Sequence, residues 1–455
     1  MAATQSSDVL AELGAFLAIP SVSVEPVHAP DMRRAAAWVA DELAWANGRV
    51  VETEGHPLVL AEWLGRPGAS TILVYGHYDV QPAGDEREWE TPPFEPSVRD
   101  GRIYARGATD DKGPVVVAVQ TARRLLDATG ALPLNVRFLI EGEEEIGSPS
   151  LPGFLAANRE LFADVGVVVS ADGAMWRPDE PSVAVAAKGL VAFDLVVEGA
   201  ASDLHSGRHG GAVQNPNHAL AQLVASLHAD DGSVSVAGFY DDVEPLSVAG
   251  FYDDVVSLSS ADRGALAQIP FDDESYRAEI GARELHGEPG WSTLERLWTR
   301  PTLEVNELCG GGPFTVIPRV ARAHLTSRLV PAQRPAAIVE ALVAHVARHA
   351  PPGASVRVET QPGAVPAYAI GADHSAVDAA VRALRHAYPD AEPLLVRIGG
   401  TLPAAAMFEE LLGLKTLLFS FSTSDEQLHA PNEFFRLSRI DEGIAAWSEL
   451  WRLLA

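Results

Sequence analysis

Four short aliphatic runs constrain the fold most: TILVY at 71–75, NVRFLI at 135–140, VGVVVS at 165–170 and KTLLFSF at 415–421. Each is apolar on both faces, whereas a strand with one wet face would alternate. Helical periodicity fills much of the chain between them. GPVVVAVQTARRLLDATG carries Pro114 in its first turn and Gly130 just past its end, the usual asymmetry of helix termini. A first helix, capped by Ser6 or Ser7, presents Val9, Leu10, Leu13, Phe16 and Leu17 on one face, and a second spans about Asp31 to Trp45. Doubly buried strands separated by helices predict an α/β domain with a mostly parallel sheet flanked by helices.

From Lys188 the texture changes. VAFDLVVEG and ARAHLTSRLVP alternate like strands with one solvated face, while NPNHALAQLVASLHA and PAAIVEALVAHVARHA are helical. These segments predict an inserted α+β domain with an antiparallel sheet. The expected organisation is therefore a first part of the main domain at 1–187, an inserted domain at 188–361 and a second part of the main domain at 362–455. Within the insert, SVAGFYDDVEPL at 235–246 is followed at once by SVAGFYDDVVSL at 247–258. Two short copies are too few for a solenoid, so this is a local tandem duplication in a loop or edge segment.

The chain has 455 residues, long enough for two cores. Its formal charge of −28 repels a phosphate backbone or an anionic membrane, so neither nucleic acid nor membrane is an expected partner. A single cysteine, Cys309, allows no internal disulfide and no cysteine-rich zinc site. The N-terminus carries Asp8 and Glu12 without a basic region followed by an apolar stretch, and no run reaches the roughly 20 apolar residues of a membrane span. A cytoplasmic protein is expected.

The chemistry-bearing residues sit where apolar runs stop. TILVY leads into GHYDVQP, where His77 and Asp79 share one face of an extended chain. RGATDDKGP sets Asp110 and Asp111 directly before the helix that Pro114 opens; EGEEEIGS follows NVRFLI; Asp172 follows VGVVVS; His429 follows KTLLFSF. Each has a plain alternative as a turn or capping residue, and three adjacent glutamates alone read as a solvated acidic turn. Together, two histidines and several carboxylates beyond the carboxyl ends of strands form a mixed nitrogen and oxygen donor set suited to zinc, manganese or cobalt. There is no GxSxG, P-loop, GxGxxG or HExxH motif, which weakens serine hydrolase, ATPase and dinucleotide readings.

The ordered motifs GHYDVQP, RGATDDKGP, EGEEEIGS, DLHSGRHGG, TVIPR and LHAPNE resemble those of the M20 metallopeptidases, nearest the carnosinase-like cytosolic dipeptidases. The resemblance implies a di-metal catalytic domain, an inserted lid domain and a homodimer formed through that lid. It implies two divalent ions per subunit, zinc first, with manganese or cobalt as alternatives. Carried onto this sequence, it makes His77 and Asp172 ligands of one metal, Glu145 and His429 ligands of the other, and Asp110 the bridge. It also makes Asp79 the clamp of the His77 ring, Glu144 the general base and the Asp110–Asp111 peptide cis. Glu143 has no role in the chemistry, so the solvated reading stays for that glutamate. In the lid, the resemblance assigns His205 to stabilising an oxyanion in the partner subunit's site, Arg328 and Thr315 to holding the substrate carboxylate, and Thr401 to a place near the substrate. The implied activity is hydrolysis of dipeptides or short peptides with a free C-terminal carboxylate, by a water shared between two metals about 3.5–4 Å apart. The alternatives are an N-acyl-amino-acid amidohydrolase on the same scaffold and a non-catalytic binding protein, which would have broken ligands where these are intact. The duplication at 235–258 leaves the ligands untouched but bears on the lid and dimer contact.

Overall fold

The structure is a computed structural model that describes residues 2–240, 263–264 and 266–455. The second copy of the duplication, and Asp241, Asp242, Asp253 and Asp254, lie outside the described residues. The chain forms two compact units: Met1–Val185, Ile370–Val396 and Pro403–Ala455 make the first, and Ala186–Ala369 with Arg397–Leu402 the second.

The strands of the N-terminal part are β1 (Arg49–Val51), β2 (Leu58–Trp63), β3 (Thr71–His77), β4 (Ser97–Arg99), β5 (Arg102–Tyr104), β6 (Asn135–Glu141), β7 (Val165–Ser170) and β8 (Ser182–Ala187). The insert contributes β9 (Gly189–Glu198), β10 (Leu204–His205), β11 (Thr302–Cys309), β12 (Val316–Ile317), β13 (Val320–Leu329) and β14 (Ser355–Thr360). Then follow β15 (Tyr368–Ala369), β16 (Leu394–Ile398), β17 (Thr416–Leu418) and β18 (Phe434–Arg436).

The main sheet runs β1-β2-β6-β3-β7-β17-β8. Its centre is parallel: β3 pairs with β6 and β7, and β17 with β7. All seven residues of β3 are buried, as a strand covered on both faces requires. Tyr75, Leu73 and Leu139 share a core with Leu151, Leu155 and Phe408, while Val115 to Val119 of the helix Gly113–Thr129 are buried as well. That helix ends at Gly130 with φ 74°, the left-handed cap expected from its glycine. The fold is α/β, mostly parallel and helix-flanked. Two details depart from the sequence expectations. The first helix runs Ala2–Leu17, taking Ser6 and Ser7 inside, and KTLLFSF keeps only three residues in ladder geometry, Thr416 to Leu418, before turning into the loop that carries His429.

The second unit has an antiparallel sheet ordered β11-β13-β9-β14. Val191, Phe193, Leu195 and Val197 of β9 face one side and pack with Leu325 and Leu329 of β13 and with Leu220, Leu223, Ile338 and Leu342 of two helices, Pro216–Ser226 and Pro335–His349. Phe239, from the first copy of the duplication, is buried in this core. The unit also holds residues 362–369 and 397–402, which the sequence leaves with the C-terminal catalytic part. Backbone bonds hold them there: Leu190 and Val365 exchange hydrogen bonds at 2.8 Å, and the Lys188 amide donates to Gly400 at 3.0 Å. Among the described residues no helix is long and apolar enough to cross a membrane.

Candidate metal centre

Strand β3 delivers His77 fully buried at its carboxyl end. Gly76 permits this placement, because a Cβ there would lie 2.5 Å from Val115 Cγ2 and 2.7 Å from Asp111 Oδ2. Gly76→Ala is therefore expected to lower unfolding free energy by about 1–3 kcal/mol through overpacking, read from the denaturant midpoint at unchanged slope; an unshifted midpoint would remove this account of the glycine.

His77 Nδ1 is 3.0 Å from the backbone carbonyl of Asp79 and 3.4 Å from its Oδ1. The nearer partner is thus the carbonyl, which accepts the hydrogen bond of Nδ1–H and leaves Nε2 to face Asp110 Oδ1 at 3.1 Å. The Asp79 carboxylate accepts the amides of Glu144 at 3.2 Å and Glu145 at 3.1 Å. It therefore pins the turn that carries the two glutamates as well as standing beside the ring, a double duty that sequence spacing does not reveal.

Asp110 lies in a π-type turn, Ala108–Lys112, and its peptide to Asp111 is cis. Its other oxygen, Oδ2, is 2.9 Å from His429 Nε2, which in turn is 3.3 Å from Glu145 Oε2. Glu145 Oε2 also accepts from Gln81 Nε2 at 2.9 Å. The His429 loop holds Gln427, His429 and Asn432 at φ of 60°, 58° and 63°, left-handed conformations that non-glycine residues adopt at a cost and that cluster where geometry serves function. Two donor groups result, His77–Asp110–Asp172 and Asp110–Glu145–His429, each with one atom per residue within 4.8 Å of the others.

Glu143, Glu144 and Glu145 separate by environment. Glu143 is buried, and its carboxylate accepts from the His56 amide at 2.8 Å and the Ser150 amide at 3.0 Å. The solvated reading of Glu143 fails: it is a buried brace for the loop. Burial, and next the nearby Asp172, hold Glu144 well above the usual carboxylate range.

Sequence inspection missed a deeper support. Glu433, the last residue of LHAPNE, is buried and accepts from Arg106 Nη1 at 2.7 Å and from the amides of Gly107, Thr109 and Asp110 at 2.9, 3.0 and 3.2 Å. Pairing of Phe434 with Tyr104 between β18 and β5 brings it there. Buried Glu426 takes the Thr109 hydroxyl. Both acids brace the loop of Asp110 from residues more than 300 positions away in sequence. Their signal in the sequence was only proximity to His429.

The remaining expected residues lie in the second unit. His205 is exposed on β10, opposite Val316 of β12, and its Nδ1 accepts the Gly207 amide at 3.1 Å. The Thr315 carbonyl accepts both the amide and hydroxyl of Ser206 at 2.9 Å. Arg328 Nη1 donates to Thr401 Oγ1 at 2.8 Å.

The donor set fits divalent cations. Nitrogen-to-oxygen separations of 2.9–3.3 Å around Asp110 are those of atoms able to share an ion through bonds of about 2.0–2.2 Å. Five carboxylates, Asp110, Asp111, Glu144, Glu145 and Asp172, stand beside two imidazoles, His77 and His429. Burial pushes the Asp172 carboxyl up to about 7 and Asp111 well above its usual range. Hydrogen bonds, first to Asp110 and then to Glu145, raise His429 to about 10. A cationic centre complements that surplus of buried acid.

Two three-donor groups that share one carboxylate, at the carboxyl edge of a helix-flanked parallel sheet, define a dinuclear metallohydrolase scaffold. Residues 73–453 match the family described as Peptidase family M20/M25/M40, and the chain belongs to it. Its relatives include the Beta-Ala-His dipeptidase of Homo sapiens, 30% identical over 92% of this chain and 84% of that protein. Cys-Gly metallodipeptidase dug1 of Schizosaccharomyces pombe is 27% identical, over 97% of this chain and 94% of the relative. The crystal structure of human carnosine dipeptidase 1 superposes with a TM-score of 0.81 at 28% identity, covering 99% of this chain and 96% of that one.

Proposed function

We propose that the chain is a metal-dependent dipeptidase that cleaves dipeptides or short peptides with a free C-terminal carboxylate. The observation that carries this reading is Asp110, with one carboxylate oxygen 3.1 Å from His77 Nε2 and the other 2.9 Å from His429 Nε2. His77, Asp110 and Asp172 would hold one divalent ion and Asp110, Glu145 and His429 a second. When bound, the two ions polarise the scissile carbonyl and make water more acidic. Glu144 takes a proton from the attacking water as the carbon–oxygen bond forms and returns it to the leaving amine as the carbon–nitrogen bond breaks. Asp79 keeps Glu144 in place through that residue's amide and fixes the His77 ring through its own carbonyl. Arg328, with Thr315 and Thr401, is assigned to the substrate carboxylate, since a guanidinium fork matches a carboxylate better than an ammonium does.

The dipeptidase names of the relatives favour peptides over N-acyl amino acids. A panel that sets free dipeptides against N-acetyl and N-succinyl amino acids tests this; faster turnover of the acylated panel would replace the reading. Zinc is the proposed metal, with manganese or cobalt next. Chelation is expected to abolish hydrolysis and readdition of one of these ions to restore it, whereas full activity at metal contents below one ion per chain would overturn the two-metal reading. The enzyme is further proposed to be cytoplasmic and to form a homodimer through the inserted domain, with His205 acting in the partner's site. Sedimentation of wild type and kinetics of His205→Ala check that assignment: a monomer of full activity, or a variant with unaltered turnover, would refute it.

A further inference from the structure

The antiparallel sheet of the second unit buries the face of Val191, Phe193, Leu325 and Leu329 in the core, and Thr302, Glu304 and Arg328 of its other face line a cavity of about 660 Å³. Arg328 lies on that face, paired in register with Leu190 of β9 and Thr302 of β11. Lys188, just ahead of β9, lines the same cavity. Lys188, Arg296, Arg300 and Arg328 line the cavity together with Glu284, Glu288 and Glu304. On a chain of net charge −28, four cations against three carboxylates leave this lining slightly positive.

Their partners differ. Arg300 is matched by Glu288, which it meets twice at 2.7 and 2.8 Å. Arg296 bonds to the Glu288 and Trp291 carbonyls and to Thr293 Oγ1. Arg328 bonds to the Thr401 hydroxyl, and Lys188, only 4% exposed, donates to the Arg296 carbonyl at 3.2 Å. Among the described residues neither Lys188 nor Arg328 makes an ion pair with a carboxylate. Glu304 is exposed on the edge strand and attracts Lys188 less than Arg328 repels it. Burial, followed by that repulsion, lowers the ammonium to about 7. An arriving anion relieves both costs.

We propose that this cavity is a dicarboxylate site in which Arg328 takes one carboxylate and Lys188 a second, so that the substrates are peptides ending in an acidic residue. The inference rests on the assignment of Arg328 to the substrate carboxylate and names the substrate class that assignment left open. Lys188 and Arg328 line one cavity and are near enough for Arg328 to repel the ammonium, so a single glutamate-sized dianion can meet both long cationic side chains.

Two measurements test it. For wild-type enzyme, kcat/KM for Gly-Glu should exceed that for isosteric Gly-Gln by at least about tenfold, the scale of a charge-assisted hydrogen bond. Lys188→Met should erase the difference and Lys188→Arg should keep most of it. Calorimetric titration of the metal-loaded protein with glutarate, and with its monoamide as control, should show at least about tenfold weaker glutarate binding in Lys188→Met and little change for the monoamide. A Glu to Gln ratio near one in wild type, or equal glutarate affinity in wild type and Lys188→Met, overturns the site. Hydrolysis of neutral dipeptides without an acidic preference fails this inference alone. Turnover of N-acyl amino acids but no dipeptide fails the proposed function, while the glutarate titration still decides the cavity.

Discussion

Glu144→Gln is expected to lower dipeptide turnover by about 10²–10⁴-fold, the range of a positioned general base, with both metals retained. The residue is isosteric with its replacement, so the turn from Glu144 to Ile146 keeps its backbone bonds to Asp79, which depend on the amides and not on the side chain. Burial and the neighbouring Asp172 keep Glu144 more basic than an ordinary carboxylate, which suits a group that must accept and then release a proton. Glu145→Gln should differ in kind, because that side chain lies 3.3 Å from His429 and contributes to a donor group; its metal content should fall along with its rate. Metal analysis and steady-state kinetics on the two variants separate the roles. Near-normal turnover in Glu144→Gln, or loss of metal from it, would defeat the assignment of Glu144 as base.

Glu433→Ala is expected to cost about 3–5 kcal/mol of stability, the usual penalty for leaving one partner of a buried ion pair alone, and to weaken metal binding with it. Arg106 and Glu433 are 2% and 1% exposed, so the guanidinium would be left without its carboxylate. The Pro82 carbonyl, at 3.2 Å, would remain its acceptor. The amides of Gly107, Thr109 and Asp110 would lose their acceptor in the same step. Because these amides fix the loop of the bridging aspartate, the defect should extend past stability. Chemical unfolding gives the first quantity and metal titration the second. An unchanged metal affinity in a folded Glu433→Ala protein would reduce Glu433 to a purely structural residue.

The legible part of the site was the part that obeys local rules. His77, Asp110, Asp172 and His429 follow or precede apolar runs whose length and doubly apolar character announce strands, so their arrival at one sheet edge could be anticipated from topology. Glu143 could not be read this way. Its charge predicts solvent, but two amides, of His56 and Ser150, make a buried carboxylate tolerable. Asp79 illustrates a second limit: spacing put its side chain on the His77 face, yet the backbone carbonyl lies closer to the ring and the carboxylate turned toward two amides across a loop.

What the sequence determined by itself is the pattern: aliphatic runs that must be buried on both faces, helices between them, and a donor set at their ends. Hydrophobic periodicity and residue chemistry are local properties, so a linear string carries them. Only the tertiary structure decided which carboxylates share an imidazole, which brace a loop, and which cations line one cavity. Those outcomes depend on strand pairs such as β18 with β5 and β9 with β13. They join residues far apart in the chain, and the energies at stake, desolvation of charge and satisfaction of buried amides, exist only once water has been excluded.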